Sequence, residues 1–226
     1  MSELRVLHVC NHLLVVDKPA CVPTVPDASG DESLLESAKA WIAREYDKPG
    51  AVFLGVVQRL DRPVSGVICF ARTSKAADRL TSQLKAKRMR KTYWALCGAW
   101  SAEDEGELRQ WLVKNPVTNR VTAHRSAREG AKEAITRWRV RERREDLTWL
   151  ELEPVTGRTH QLRVAAASLG SPLLGDLKYG AAEPLPDKSI ALHARALELE
   201  HPTRREAMRF EADPPRVGPW RRIAST

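Results

Sequence analysis

No apolar run in the 226 residues approaches the length of a membrane span. The opening stretch MSELRVLHVC has no long apolar segment and no signal-peptide pattern. No basic amphipathic helix stands out that would bind a membrane surface. Cysteine is scarce: the chain has four, Cys10, Cys21, Cys69 and Cys97. None forms a C-x-x-C pair, so a zinc module built on paired cysteines is not indicated. Cys10 and Cys69 lie in apolar runs and read as small core residues. Reduced thiols and a cytoplasmic setting are therefore expected. Internal repeats and linker-like breaks are also missing, so one domain spanning residues 1–226 is expected.

The residues present argue for a folded, basic protein. Hydrophobic residues make up 42%, enough for a sizeable core. Lys and Arg number 37 against 29 Asp and Glu, a formal charge of +8 with a pI near 9.6. That balance favours an anionic partner, nucleic acid before a membrane surface, although a basic enzyme without a polyanion partner fits the charge as well.

Residues 12–20 read as a strand stopped by Pro19, followed by a Pro/Gly/Asp-rich loop over 21–30. Residues 31–46 carry Leu34, Leu35, Ala38, Trp41 and Ile42 at helical spacing, behind acids in the first turn. Strand, charged loop and strand follow over 52–57, 58–66 and 67–72. A second helix is expected over 74–88, with Ser74 as its N-cap. An apolar and aromatic strand covers 91–100, and 101–132 is polar apart from Trp111 to Val113. Residues 133–154 alternate as a hairpin, 159–170 form a helix closed by Gly170, and 189–202 and 207–215 are further strand candidates. Strands outnumber helices and intermix with them, so the class is α+β.

Two stretches carry candidate chemistry. In VVQRLDRPVSGVICFART, Asp61 sits between cations, Arg59 and Arg62, at the junction of two apolar strands. Leu60 and those strands would hold the carboxylate partly out of water, where it needs a cation or donors to stay ionised. A desolvated carboxylate on a rigid base suits attack at an electrophilic carbon. The bland reading is a solvated turn. In GRTHQLRVAAASLGSPLLGDLKYG, Arg163 can supply a fixed guanidinium to a buried carboxylate. His160 has no second ligand at i+4 and reads as structural. A basic run, KAKRMRK, brings Lys85, Lys87, Arg88, Arg90 and Lys91 to the Tyr93 strand without an acid, and Arg120, Arg125 and Arg128 make a second patch around His124.

RLDRPVSG, KTYWAL, GRTHQLRV and GDLKYG occur in the order seen in pseudouridine synthases of the RluA type, and the chain resembles that family over about residues 6–211. VVDKPACVPT resembles its entry strand and LHARALELEHP its late strand pair. The resemblance implies a single catalytic domain with a central mixed, mostly antiparallel sheet, flanked by helices and loops around an RNA cleft. It implies Asp61 as the catalytic carboxylate, Tyr93 as the ring that stacks on the target base, Arg163 as the partner of Asp61, and Arg59 as the group filling the space of the flipped nucleotide. No metal or cofactor is implied, because the reaction isomerises uridine to pseudouridine in ribosomal or transfer RNA and adds nothing. Arg59, Arg62, Lys87, Arg88, Arg90 and Lys91 are the expected RNA contacts. The chain departs from the family pattern at Gln58, where His is usual, at Val64, where Thr is usual, and at Cys21, where Gly is usual. No room for an S4-type module is expected ahead of the entry strand, and a monomer is expected. The rivals are an RNA-binding or assembly factor that keeps the fold without the activity, and a hydrolytic glycosidase, which needs a second acid near Asp61.

Overall fold

The computed structural model describes residues 4–100 and 102–223, which fall into two compact units. The first comprises Met1–Arg90 with Ala194–Asp213, the second Lys91–His193 with Pro214–Thr226. No helix among the described residues is long and apolar enough to cross a membrane.

In the first unit, β1 (Arg5–Val9) pairs antiparallel with β2 (Leu13–Lys18), which pairs antiparallel with β4 (Ser65–Ala71). Leu13 stands opposite Ala71 and Lys18 opposite Gly66. All seven residues of β4 are buried, because both of its faces are covered. Leu13, Val15, Val67 and Cys69 meet Leu80 and Ala76 of α2 (Ser74–Lys85) together with Leu197 and Phe210. The last two come from β10 (Leu192–Glu200) and β11 (Ala207–Glu211), an antiparallel pair. The strand expected over 52–57 is only the two-residue β3 (Gly55–Val56), also on β4. The N-terminal strand β1 carries too little alternation to stand out in the sequence.

Helix α1 (Leu34–Glu45) begins on a capping box: the Ser33 hydroxyl accepts the Glu36 N–H and the Glu36 carboxylate accepts the Ser33 N–H. For α2 the cap is Thr73, not Ser74. Thr73 keeps an extended backbone and its hydroxyl accepts the Ala76 N–H at 3.1 Å, so Ser74 is the first helical residue.

The second unit is an antiparallel sheet: β5 (Arg90–Cys97) pairs with β9 (Thr148–Pro154), β9 with β8 (Lys132–Arg143), β8 with β6 (Glu105–Asn115), and β6 with β7 (Arg120–His124). Strands β6 and β7 occupy the stretch whose sequence reads as merely polar. The charges of β6 pair across to β8, Arg109 with Glu133 at 2.5 Å and Arg137 with Glu107 at 2.9 Å. Trp94 and Trp149 pack edge to face beneath β5 and β9, their centroids 4.7 Å apart. Helix α3 (Gln161–Ser168) starts two residues later than expected, after His160 in the left-handed region at φ 52°. Gly170 follows its end at φ +83°. The class is α+β with a mostly antiparallel sheet, as expected.

Candidate active site

The loop bearing Asp61 leaves the first unit's core at Leu60 and returns to it at Val64, both buried. Three successive carbonyls across the bend each receive a different donor. The Leu60 carbonyl accepts the Thr24 hydroxyl at 2.8 Å, the Asp61 carbonyl accepts the Val64 N–H at 3.0 Å, and the Arg62 carbonyl accepts Lys18 Nζ at 3.1 Å. Thr24 also accepts the Leu60 N–H, at 3.2 Å. The peptide planes on both sides of Asp61 are thereby fixed, and its carboxylate stands half-buried on a rigid bend.

Lys18 is the least expected part of this support. Its side chain has no solvent exposure, and Nζ also donates to the carbonyls of Pro19 at 2.8 Å and Val22 at 2.7 Å. Burial pushes its pKa down to about 7, against the opposing pull of Cys21 and Asp61. Three carbonyls use all three protons of an ammonium, so its protonated form is the one the site accommodates in full.

The loop expected over 21–30 laces onto the same bend, together with Asp31 just after it. Arg62 donates Nε to the Cys21 carbonyl at 3.3 Å and forms ion pairs with Asp31 and, at 3.6 Å, Asp27. Arg62 is thus engaged by the loop acids, whereas Arg59 is exposed on the approach to the bend. Cys21 lies at φ +66°, the conformation for which glycine is the least strained residue. Gly66, at φ +114°, is required for space: a Cβ there would lie 2.3 Å from the Ala194 carbonyl oxygen.

In the second unit, Tyr93 is half-buried on β5, opposite Leu152 of β9. Arg163 is buried on α3, where it grips Asp176, Nε to Oδ2 at 2.7 Å and Nη2 to Oδ1 at 2.8 Å. Asp176 is 1% exposed. The guanidinium lies 5.1 Å from the centroid of the Tyr179 ring. The Tyr179 hydroxyl accepts the Val121 N–H at 2.9 Å and lies 2.7 Å from His160 Nδ1. Gln161 ties the start of α3 to β8, donating to the Ile135 carbonyl at 2.9 Å and accepting the Thr156 hydroxyl at 2.7 Å. His160, read from the sequence as structural, is buried and meets the Tyr179 hydroxyl. Lys18, Thr24 and Tyr179 do not stand out in the sequence as site residues, and neither does Asp176 as the partner of Arg163. GDLKYG and DKPA contain three of the four, but no spacing marks what they touch.

Of the basic run, Lys87, Arg88 and Arg90 are exposed, and Arg88 approaches Glu200 at 3.8 Å. Lys91 is different, since burial pushes its pKa down to about 8. In the second patch, Arg128 meets His124 at 3.0 Å and Arg120 lies 5.5 Å from the Tyr179 centroid. Asp17, one of the two acids that the glycosidase reading could draw on, pairs with Arg5 at 2.8 Å, and Asp176, the other, is held by Arg163.

Among the described residues, Cys10, His12 and His201 have potential ligand atoms within 4.8 Å of one another. Their hydrogen bonding does not fit a metal. His201 Nδ1 accepts the N–H groups of Thr203 at 3.2 Å and Arg204 at 3.0 Å, which leaves the ring proton on Nε2, 3.6 Å from Cys10 Sγ. Coordination through Nε2 would place a proton on Nδ1 against two amide donors.

The sequence model of the RNA pseudouridylate synthase family matches residues 12–168, and the chain belongs to that family. It is 35% identical over 225 residues to ribosomal large subunit pseudouridine synthase D of Xanthomonas campestris pv. campestris, covering 94% of this chain and 66% of that protein. It is also 35% identical over 218 residues to ribosomal large subunit pseudouridine synthase C of Escherichia coli, covering 92% of this chain and 65% of that one. The chain thus spans about two thirds of the length of these curated relatives. Among solved structures, human RNA pseudouridylate synthase domain containing 1 superposes with a TM-score of 0.74 at 28% identity, over 96% of this chain and 85% of that one.

Proposed function

We propose that this chain isomerises uridine to pseudouridine in a structured RNA, with Asp61 as the reacting carboxylate and residues 1–226 working as one catalytic domain. The observation that carries the reading is the bend at Asp61, where three consecutive carbonyls are anchored so that the carboxylate keeps a fixed direction while remaining half-buried. Fixed orientation and partial desolvation are what a group attacking C1′, or removing a ribose proton, requires.

The N1–C1′ bond breaks, the base turns, a C5–C1′ bond forms, and the proton lost from C5 is balanced by one taken up at N1. Atoms balance within the nucleotide. Uracil departs as a resonance-stabilised anion, so a second carboxylic acid is not needed as it is in glycosidases. Tyr93 offers its ring to the detached base, and Arg163 serves as cationic partner of Asp61. The target must leave its stack first, at a cost of a few kcal/mol that is least in loops. Arg59 fills the vacancy, while Lys87, Arg88 and Arg90 meet backbone phosphates. Arg62 acts chiefly by ordering the entry loop, and Lys91 belongs to the strand base.

The names of the bacterial relatives make ribosomal RNA the first substrate to test, with transfer RNA second. The protein is proposed to act as a cytoplasmic monomer. Carbodiimide mapping of RNA from a strain lacking the gene, with and without its restoration, tests the function. One or more uridines lose modification on deletion and regain it on restoration; unchanged maps overturn the reading.

A further inference from the structure

We infer that Thr24 is a positioning residue for Asp61, an inference that rests on Asp61 being the reacting carboxylate. Thr24 comes from the loop between β2 and α1, 36 residues away from Leu60 in sequence, and it is 4% exposed. Its hydroxyl makes both hydrogen bonds that a neighbouring strand would make to Leu60, donating to the carbonyl at 2.8 Å and accepting the N–H at 3.2 Å. The Leu60 carbonyl belongs to the peptide that carries the Asp61 nitrogen. Rotation of that peptide swings the Asp61 side chain, and the Thr24 hydroxyl is the donor that opposes it.

Thr24 is itself held from two sides. Its own carbonyl accepts the Leu35 N–H at 3.2 Å, and the Pro23 carbonyl accepts the Leu34 N–H at 2.8 Å, so the first turn of α1 anchors the latch. On the far side of Asp61, Lys18 holds the Arg62 carbonyl. Lys18 and Thr24 therefore bracket the reacting residue from one connected segment. A methyl group in place of the hydroxyl keeps the volume and removes both bonds, leaving two buried backbone groups unpaired at the residue preceding Asp61.

Total RNA from a strain lacking the gene serves as substrate for purified protein in single-turnover assays, with RNA affinity measured in parallel. Thr24→Val is expected to slow pseudouridine formation roughly tenfold or more, since small misplacements of reacting groups carry that scale of loss. Its RNA affinity should stay within about twofold, because Thr24 lies in the fold and not on the RNA face. Thr24→Ser, which restores the hydroxyl, should recover most of the rate. Ile42→Val, or Ile42→Ala if needed, provides a core variant matched for thermal stability loss and should retain the wild-type rate. The inference is overturned if Thr24→Val turns over at the wild-type rate, if Thr24→Ser is folded yet as slow as Thr24→Val, or if the matched Ile42 variant slows equally. Asp61→Asn, run alongside, separates the two levels. An active Asp61→Asn protein removes the underlying reading, whereas an inactive one with a fully active Thr24→Val removes only the role of Thr24.

Discussion

Arg163 holds Asp176 through two parallel hydrogen bonds of 2.7 and 2.8 Å in a setting almost closed to water. The pairing uses the Nε edge of the guanidinium, and the Tyr179 ring lies close by, 5.1 Å away. Lysine cannot reproduce a forked arrangement of this kind. Asp176→Ala leaves a buried cation short of its partner and should cost about 3–5 kcal/mol of stability, as should Arg163→Ala. Arg163→Lys should recover less than half of that loss. Urea midpoints of the three variants check this, and a loss below about 1 kcal/mol for Asp176→Ala would show that the pair is dispensable.

The Tyr179 hydroxyl gives a second, smaller stability prediction. Tyr179→Phe leaves the Val121 N–H and His160 Nδ1 without that oxygen, and the buried N–H alone should cost about 1–3 kcal/mol. Thermal unfolding measures it. Amide exchange at Val121 should rise in the same variant, and unchanged protection there would contradict the assignment.

Lys18 gives a pH prediction with a definite sign. Its folded pKa, about 7, lies below the ordinary lysine value, so the unfolded chain binds more protons between pH 7 and about 10.5. The cost of burying its charge is greatest below pH 7 and is relieved as pH rises through that window. Lys18→Met removes this titration and leaves three carbonyls without their donor, so it should be destabilised at neutral pH. The gap between wild type and Lys18→Met should widen from about pH 7 to about pH 9. Lys91, pushed down to about 8, contributes equally to both proteins and cancels. A gap that narrows over that range would contradict the assignment.

The exposed cations should separate from the half-buried Lys91 in RNA binding. Alanine at Lys87, Arg88 and Arg90 should weaken binding across RNA sequences and flatten the dependence of log affinity on log salt by roughly 0.7–0.9 for each phosphate left without its cation. Lys91→Met should leave the slope unchanged. Filter binding between about 50 and about 200 mM salt reads both.

Much of this is legible in the sequence, for reasons that differ by element. Val67 to Phe70 form an unbroken apolar run because β4 is covered on both faces, and Asp61 stands out as the charge that interrupts its approach. Strand β6 is hidden because its outward Arg and Glu side chains pair across to β8 and dilute the apolar alternation. Cys21 looks like a departure from the family pattern, and its backbone at φ +66° shows that the conformation suited to glycine persists without the glycine. Thr24 and Lys18 are invisible for a deeper reason. They act on backbone groups 36 and 44 residues further along the chain, and a carbonyl has no signature in sequence. Asp176 reads only as a possible acid, since nothing local reveals that Arg163 faces it.

The most direct test of the central claim is pseudouridine formation by Asp61→Asn, measured in single-turnover assays on total RNA from a strain lacking the gene. The substitution keeps the shape of the side chain and removes its charge and nucleophilicity. The account predicts a folded protein that binds RNA within about threefold of wild type and forms no detectable pseudouridine, since no second carboxylate is assigned to replace it. Pseudouridine formation by Asp61→Asn at the wild-type rate would contradict it.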